Sequence, residues 1–186
     1  MSLVLAVGGI KSGKTHFCEE LLAQYSRVGY FATAPTSWAD EAKFHERIKA
    51  HQASRPATFE TIEVGDNPED LPELLRNFEG PVLVDSVGTW ISALYEKNSG
   101  RGYQSHCRSF LDALDSRNGL SVIVSEEVGL SLHGANEISR DFVDKVGALN
   151  QEIAKIADSV FLIVAGRAVP LMKLEDLRES SRLGNL

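Results

Sequence analysis

The segment Gly8-Gly9-Ile10-Lys11-Ser12-Gly13-Lys14-Thr15 fits G-x-x-x-x-G-K-[ST], the pattern of a loop that holds nucleotide phosphates. At average residue usage, a chain of 186 residues meets it by chance in about one case in a hundred. Its glycines let backbone N–H groups converge on phosphate oxygens with no Cβ in the way. The start of the following helix adds positive potential. Lys14 is placed to reach the terminal phosphates, and the Thr15 hydroxyl is a ligand for Mg2+. The set implies binding of a nucleoside triphosphate. An acid on a neighbouring strand should complete the metal site, and Val82-Leu83-Val84-Asp85 ends an apolar run in one. Thr15 and Asp85 are thus the expected metal-binding pair. Asp85-Ser86-Val87-Gly88 also fits the D-x-x-G of GTPase switches, but no Asn-Lys-x-Asp guanine-reading motif follows, which argues against a switch protein.

A nucleophile is the other chemical candidate. Of His16, His45, His51, His106 and His133, only His51 has a notable frame. Arg47 and His51 share a helix face at i, i+4, and Arg55 precedes Pro56, which should end that helix. Nearby cations favour the neutral imidazole, the nucleophilic form, while a bound triphosphate pushes the other way. A basic, solvated helix end is the alternative reading of the same residues.

These groups need elements to position them. The apolar runs Leu3–Val7, Val28–Thr33, Val82–Val84, Leu120–Val124 and Val160–Val164 are continuous, as in strands buried on both faces of a mainly parallel sheet. Thr58–Val64 alternates and reads as a strand nearer an edge. Helical segments are expected over Lys14–Tyr25, Asp40–His51, Leu71–Phe78, Thr89–Lys97, Ser105–Leu114 and Ile138–Ala157. The alternation predicts an α/β fold, a three-layer P-loop NTPase. Residues 1–166 form the nucleotide-binding catalytic domain. Residues 167–186 read as an extension, a surface helix and loose tail, rather than a second domain. Asn98–Tyr103 reads as a loop.

Composition narrows the class. Hydrophobic residues make up 43% and charged residues 24%, as in a soluble globular chain. Lys and Arg number 19 against 26 Asp and Glu, a net charge of −7, which disfavours nucleic acid or a membrane surface as partner. Runs such as Val160–Ala165 are too short to span a bilayer, and the N-terminus lacks the order of features in a secretory signal. Cys18 and Cys107 are too isolated for a disulfide framework or a zinc site, so two reduced thiols in a cytoplasmic protein are expected.

Taken together, Gly8–Thr15, Tyr30-Phe31-Ala32-Thr33, Arg47-Ile48 with His51 and Arg55-Pro56, Glu63, Val82–Asp85, Glu127-Val128-Gly129, and Arg140 followed by Gly147-x-x-Asn150-Gln151 resemble one bifunctional family. It is the adenosylcobinamide kinase/adenosylcobinamide-phosphate guanylyltransferase family, and the likeness runs from about Leu3 to Gly166. The resemblance implies a RecA-like fold, a homotrimer, and two reactions. The first phosphorylates the aminopropanol hydroxyl of adenosylcobinamide with ATP or GTP. The second transfers GMP from GTP to that phosphate, through a guanylylated histidine, giving adenosylcobinamide-GDP and pyrophosphate. That histidine corresponds to His51, with Lys14 as the other catalytic residue. Nucleotide contacts fall on Gly8, Gly9, Ile10, Lys11, Ser12, Gly13, Lys14, Thr15, Ala32, Thr33, Ala34, Gln52, Ala53, Ser54, Arg55, Glu63 and Asp85. The chain departs from the family at Ala50, where a second histidine can stand, at Phe59 for Trp, at Asp85 for Glu, and at Glu126 for Asn. A RecA-like, nucleotide-dependent oligomeric binding module and a small-molecule P-loop kinase without guanylyl transfer are the alternatives.

Overall fold

Continuous apolar strands must be covered on both faces, and the arrangement follows from that need. The computed structural model describes residues 2–40, 56–98, 101–130, 136–173 and 175–176. Seven strands form one sheet: β1 (Ser2–Gly8), β2 (Val28–Ala32), β3 (Phe59–Glu63), β4 (Val82–Asp85), β5 (Leu120–Glu126), β6 (Ser159–Val164) and β7 (Arg167–Leu171). Their order is β3-β2-β4-β5-β1-β6-β7. All pairs are parallel except β6 with β7. As expected, Phe59–Glu63 lies at an edge.

The period of two along each strand divides the core. One face of the sheet carries Ala6, Tyr30, Leu83, Val122 and Val124, covered by Cys18 and Leu22 of α1 (Lys14–Leu22). The other carries Leu5, Val7, Phe31, Val84 and Ile123. It is covered by α2 (Leu71–Asn77), α3 (Val87–Asn98), α4 (Tyr103–Ser116) and α5 (Glu137–Ile156). Trp90 of α3 anchors this second layer: it is fully buried, its ring centroid lies 4.8 Å from that of Phe110, and its Nε1 donates to the Pro68 carbonyl at 2.6 Å. The Asn136 side chain caps α5 by accepting from the Ser139 N–H at 2.8 Å. No helix among the described residues is long and apolar enough to cross a membrane.

Two expectations change. The helix expected over Asp40–His51 lies outside the described residues apart from Asp40, which ends a short 3-10 turn, Thr36–Asp40. The surface helix expected after Gly166 is instead, over Arg167–Leu171, the antiparallel strand β7. Ala165 and Gly166 have φ of 52° and 72° and form a two-residue hairpin between the paired Val164 and Arg167. All five residues of β7 are exposed, so burial imposes no pattern on them, and Pro170 is tolerated because the strand is at an edge.

One buried cation holds the sheet's centre to the helical layer. Arg117, 4% exposed, donates to the carbonyls of Leu75 at 2.5 Å, Phe78 at 3.2 Å and Gly80. These oxygens lie at the end of α2 and in the turn that enters β4, so Arg117 sets the approach of the strand that carries Asp85. Truncation leaves three carbonyls without this donor. Arg117→Ala is expected to lower unfolding free energy by about 3 kcal/mol in urea titration, with Arg117→Lys recovering only part.

Candidate active site

The loop between β1 and α1 is held by contacts that exclude side chains. A Cβ on Gly8 would lie 2.5 Å from the Ile163 carbonyl oxygen. Gly13 has φ of +95°, and its Cβ would lie 3.1 Å from Gly166 Cα. The Gly166 N–H donates to the Ser12 carbonyl at 2.8 Å, so the β6–β7 turn clamps the loop from behind. At the loop's mouth, Lys14 is 9% exposed and its Nζ donates to the carbonyls of Gly8 and Gly9, both at 2.9 Å. The ammonium is thus held over the cradle beside the first N–H groups of α1, where phosphate oxygens are favoured. Ile10 projects outward, 76% exposed, and Lys11 is exposed with φ of 57°.

From α1, the Thr15 hydroxyl donates to Asp85 Oδ2 at 3.2 Å. The Tyr30 hydroxyl donates to the same oxygen at 2.5 Å from β2. Strand periodicity accounts for this meeting: Asp85 follows Leu83 onto the face that carries Tyr30 and Ala6, the face α1 covers. A hydroxyl and a carboxylate side by side suit a hard cation, and Mg2+ is commonly held by one or two such groups together with substrate phosphates. Among the described residues no group of three or more His, Cys, Asp or Glu could hold a metal alone. The donor set therefore fits a metal that arrives with the nucleotide.

Beyond Asp85 the backbone is fastened on two sides. Thr33 is fully buried; its hydroxyl donates to the Ser86 carbonyl at 2.8 Å and accepts from the Ser86 N–H at 2.8 Å. The carboxylate of Glu126, at the end of β5, accepts from Ser86 Oγ at 2.7 Å and from the Gly88 N–H at 2.9 Å. A Cβ on Gly88 would lie 2.1 Å from Glu126 Oε2. The D-x-x-G spacing therefore reflects close approach of a carboxylate to the start of α3. Glu126 is a satisfied acceptor where the family pattern has an amide.

The structure brings together Gly8 through Thr15 with Asp85. Ala32 pairs with Asp85 on one side and with Glu63 on the other, so Glu63 stands two strand spacings, roughly 10 Å, from Asp85. That distance keeps it from the cation site and leaves it along the strand ends where the rest of a nucleotide would lie. Ala34 follows Thr33 and packs against Gly65, whose Cβ would lie 2.2 Å from the Ala34 carbonyl carbon. His51, Gln52, Ala53, Ser54 and Arg55 lie outside the described residues. Three groups at the site were not read from the sequence as site residues: Tyr30, Glu126 and Gly166. Tyr30 reaches Asp85 because register pairs it with Leu83, two residues before the acid, which residue spacing does not announce.

Cys18, fully buried, sits one turn into α1. Burial pushes its thiol up, and the negative charges of Asp85 and Glu19 add to the effect, with Lys14 opposing. It stays protonated at neutral pH and is not a nucleophile for nucleotide transfer. Iodoacetamide at pH 8 is expected to leave Cys18 unmodified in the native protein, as read by peptide mass. Asp85→Asn is expected to raise the Mg2+ concentration needed for nucleotide binding by about tenfold, with Mg2+-free binding nearly unchanged. Lys14→Ala should weaken nucleotide binding by about 10- to 100-fold with or without Mg2+, measured by calorimetry.

Comparison with known proteins places this site in a family. The family model described as cobinamide kinase / cobinamide phosphate guanyltransferase matches residues 4–171, through the end of β7. The bifunctional adenosylcobalamin biosynthesis protein CobP of Pseudomonas aeruginosa is 33% identical over 171 residues, covering 90% of this chain and 95% of that protein. The bifunctional adenosylcobalamin biosynthesis protein CobU of Escherichia coli K12 is 26% identical over 182 residues, 91% and 99% of the two chains. Among solved structures, an ATPase from the type III secretion system of pathogenic bacteria superposes with a TM-score of 0.54 at 12% identity, over 97% of this chain and 61% of that one. That likeness is one of fold, a RecA-like P-loop sheet. The clamped loop, Lys14, Thr15 and Asp85 all lie within the matched span, and the chain belongs to the cobinamide kinase / cobinamide phosphate guanyltransferase family.

Proposed function

We propose that the protein phosphorylates adenosylcobinamide and then transfers GMP from GTP to adenosylcobinamide-phosphate, forming adenosylcobinamide-GDP and pyrophosphate in cobalamin biosynthesis. The observation that carries this reading is the family match over residues 4–171, within which the Lys14–Thr15–Asp85 cradle supplies a site for the triphosphate both reactions use. In the kinase step the cradle holds the γ-phosphorus for attack by the acceptor hydroxyl. The new P–O bond forms as the β–γ bridging bond breaks, and the hydroxyl proton is released. Holding the two reactants in line is the main requirement.

The transferase step makes a different demand, because GMP must be kept while pyrophosphate departs. A nitrogen of His51 attacks the α-phosphorus, the P–N bond forms, and the α–β bridging P–O bond breaks. An oxygen of the acceptor phosphate then displaces His51 and restores the imidazole. Lys14 and the loop N–H groups hold the leaving pyrophosphate, and Ala32, Ala34, Gln52, Ala53, Ser54, Arg55 and Glu63 contact the nucleotide. Thr33, fully buried, fastens the backbone at Ser86 instead of touching the ligand. Thr15 and Asp85 would hold a Mg2+, which would supply charge neutralisation at the phosphates. The family resemblance supports a homotrimer using ATP and GTP, and the acidic composition supports a cytoplasmic enzyme with neither nucleic acid nor membrane as partner.

Incubation with α-labelled GTP and Mg2+ is expected to leave acid-labile label on the protein, and His51→Ala should remove it. Label surviving in His51→Ala overturns the assignment of the nucleophile. Transfer of γ-label to adenosylcobinamide with no capture of α-label would leave a small-molecule kinase as the reading. The mass in solution tests the trimer.

A further inference from the structure

Helix α5 contains a glycine that its packing does not require. Gly147 lies in the middle of a 20-residue helix, where glycine costs about 1 kcal/mol against alanine. A Cβ there would meet nothing within 4 Å. The space it leaves open is a cavity of about 500 Å3 between α5 and the sheet, of the size that takes a drug-sized ligand or one edge of a larger one. Its floor is apolar: Leu5, Val160 and Leu171 stand in register across β1, β6 and β7. Its rim is polar, with Asn150 and Gln151 of the same helix.

Three further observations identify the occupant's chemistry. Among the described residues the charged groups of the lining are Glu127 and Asp144, with no Lys, Arg or His, a set that opposes phosphates. Asn150 donates Nδ2 to the Glu126 carbonyl at 3.0 Å, which pins this edge of the helix to the end of β5 and leaves Gln151 as the uncommitted amide of the rim. The cavity also adjoins the phosphate loop. Val7 lines it and immediately precedes Gly8, and Glu127, another lining residue, donates its N–H to the Gly8 carbonyl at 3.0 Å. Nucleotide and cavity thus lie on opposite faces of one strand end.

We propose that this cavity binds the corrinoid acceptor, taking one edge of its macrocycle rather than its phosphate-bearing arm. Methyl-covered ring surface suits the apolar floor, and ring carboxamides suit Gln151 at the rim. The cationic cobalt centre suits the two carboxylates. The rest of the ring extends over Val169, 48% exposed and two residues from Leu171 on the same face of β7. Gly147 is the specificity-determining position, and it is glycine because a side chain would occupy the acceptor's place. The inference rests on the function proposed above.

The test fills the cavity without disturbing its walls. Gly147→Leu gains helix propensity and enters open space, so its thermal midpoint should equal or exceed the wild type and its GTP affinity should be unchanged. Its Kd for adenosylcobinamide, by equilibrium dialysis read at the corrinoid's visible absorbance, should rise by at least about tenfold. An unchanged adenosylcobinamide Kd in folded Gly147→Leu overturns the proposal. An altered subunit mass with that Kd unchanged also overturns it, by assigning the cavity to a contact between copies. If Gly147→Leu does not fold, the unbranched Gly147→Met is read by the same criteria. Wild-type protein is assayed alongside. Failure of the wild type to phosphorylate adenosylcobinamide overturns the proposed function and this inference with it, whereas wild-type turnover with unaffected Gly147 variants overturns this inference alone.

Discussion

The contact between the Thr15 hydroxyl and the Asp85 carboxylate joins the first turn of α1 to the end of β4 across an intervening strand. Much of the site's surroundings can be understood as holding the two ends of that contact still. On the loop side, Gly8 and Gly13 let the backbone pass between β6 and the β6–β7 turn, and Gly166 grips it through Ser12. On the acid side, Tyr30 directs Asp85 Oδ2, Thr33 binds the backbone of the next residue, and Glu126 binds both Ser86 and Gly88. The intervening strand β5 is therefore more than a spacer. Its last residue fastens the turn after Asp85, and the chain just beyond it returns an N–H from Glu127 to Gly8.

This arrangement separates the protein's overall charge from its affinity for anions. A net charge of −7 sets a long-range field that does not attract polyanions. The proposed phosphate site relies on short-range groups: backbone N–H groups, an ammonium held by the Gly8 and Gly9 carbonyls, and a Thr15–Asp85 pair that offers only oxygens to a cation. Short-range groups held in advance need no reorganisation when the ligand arrives. The same logic accounts for Lys14 spending its hydrogen bonds on the Gly8 and Gly9 carbonyls. An ammonium so buried needs acceptors, and these two keep it at the mouth.

The parts of this site legible in the sequence were those with local spacing. G-x-x-x-x-G-K-T is contiguous, and Val82–Asp85 announces a buried strand with an acid at its carboxyl end, so Lys14, Thr15 and Asp85 could be named in advance. Parallel strands were legible because burial on both faces erases alternation. Tyr30 and Glu126 act through register, which pairs Ala32 with Asp85 and Gly8 with Glu126 and has no trace in residue spacing. Strand β7 was missed for a related reason: an exposed edge strand carries no apolar pattern, and its turn is Ala-Gly rather than Asn-Gly. Glu126, a charge in place of an amide, is accounted for by its two donors, Ser86 Oγ and the Gly88 N–H.

Residues without an evident local reason are the most informative ones in α5. Asn150 is a poor helix former that earns its place by reaching the Glu126 carbonyl, which couples this helix to the strand end that steadies Asp85. Gly147, one turn earlier, makes no such contact, and a Cβ there would meet nothing within 4 Å. A helix that keeps both residues trades stability for position at one and for empty volume at the other. Because β1 exposes Val7 to the α5 side and Gly8 to the phosphate loop, the two faces of a single strand end can serve two ligands at once. The reaction requires that: donor and acceptor must approach each other without competing for the same walls, and a sheet whose faces alternate residue by residue provides the separation within one peptide unit.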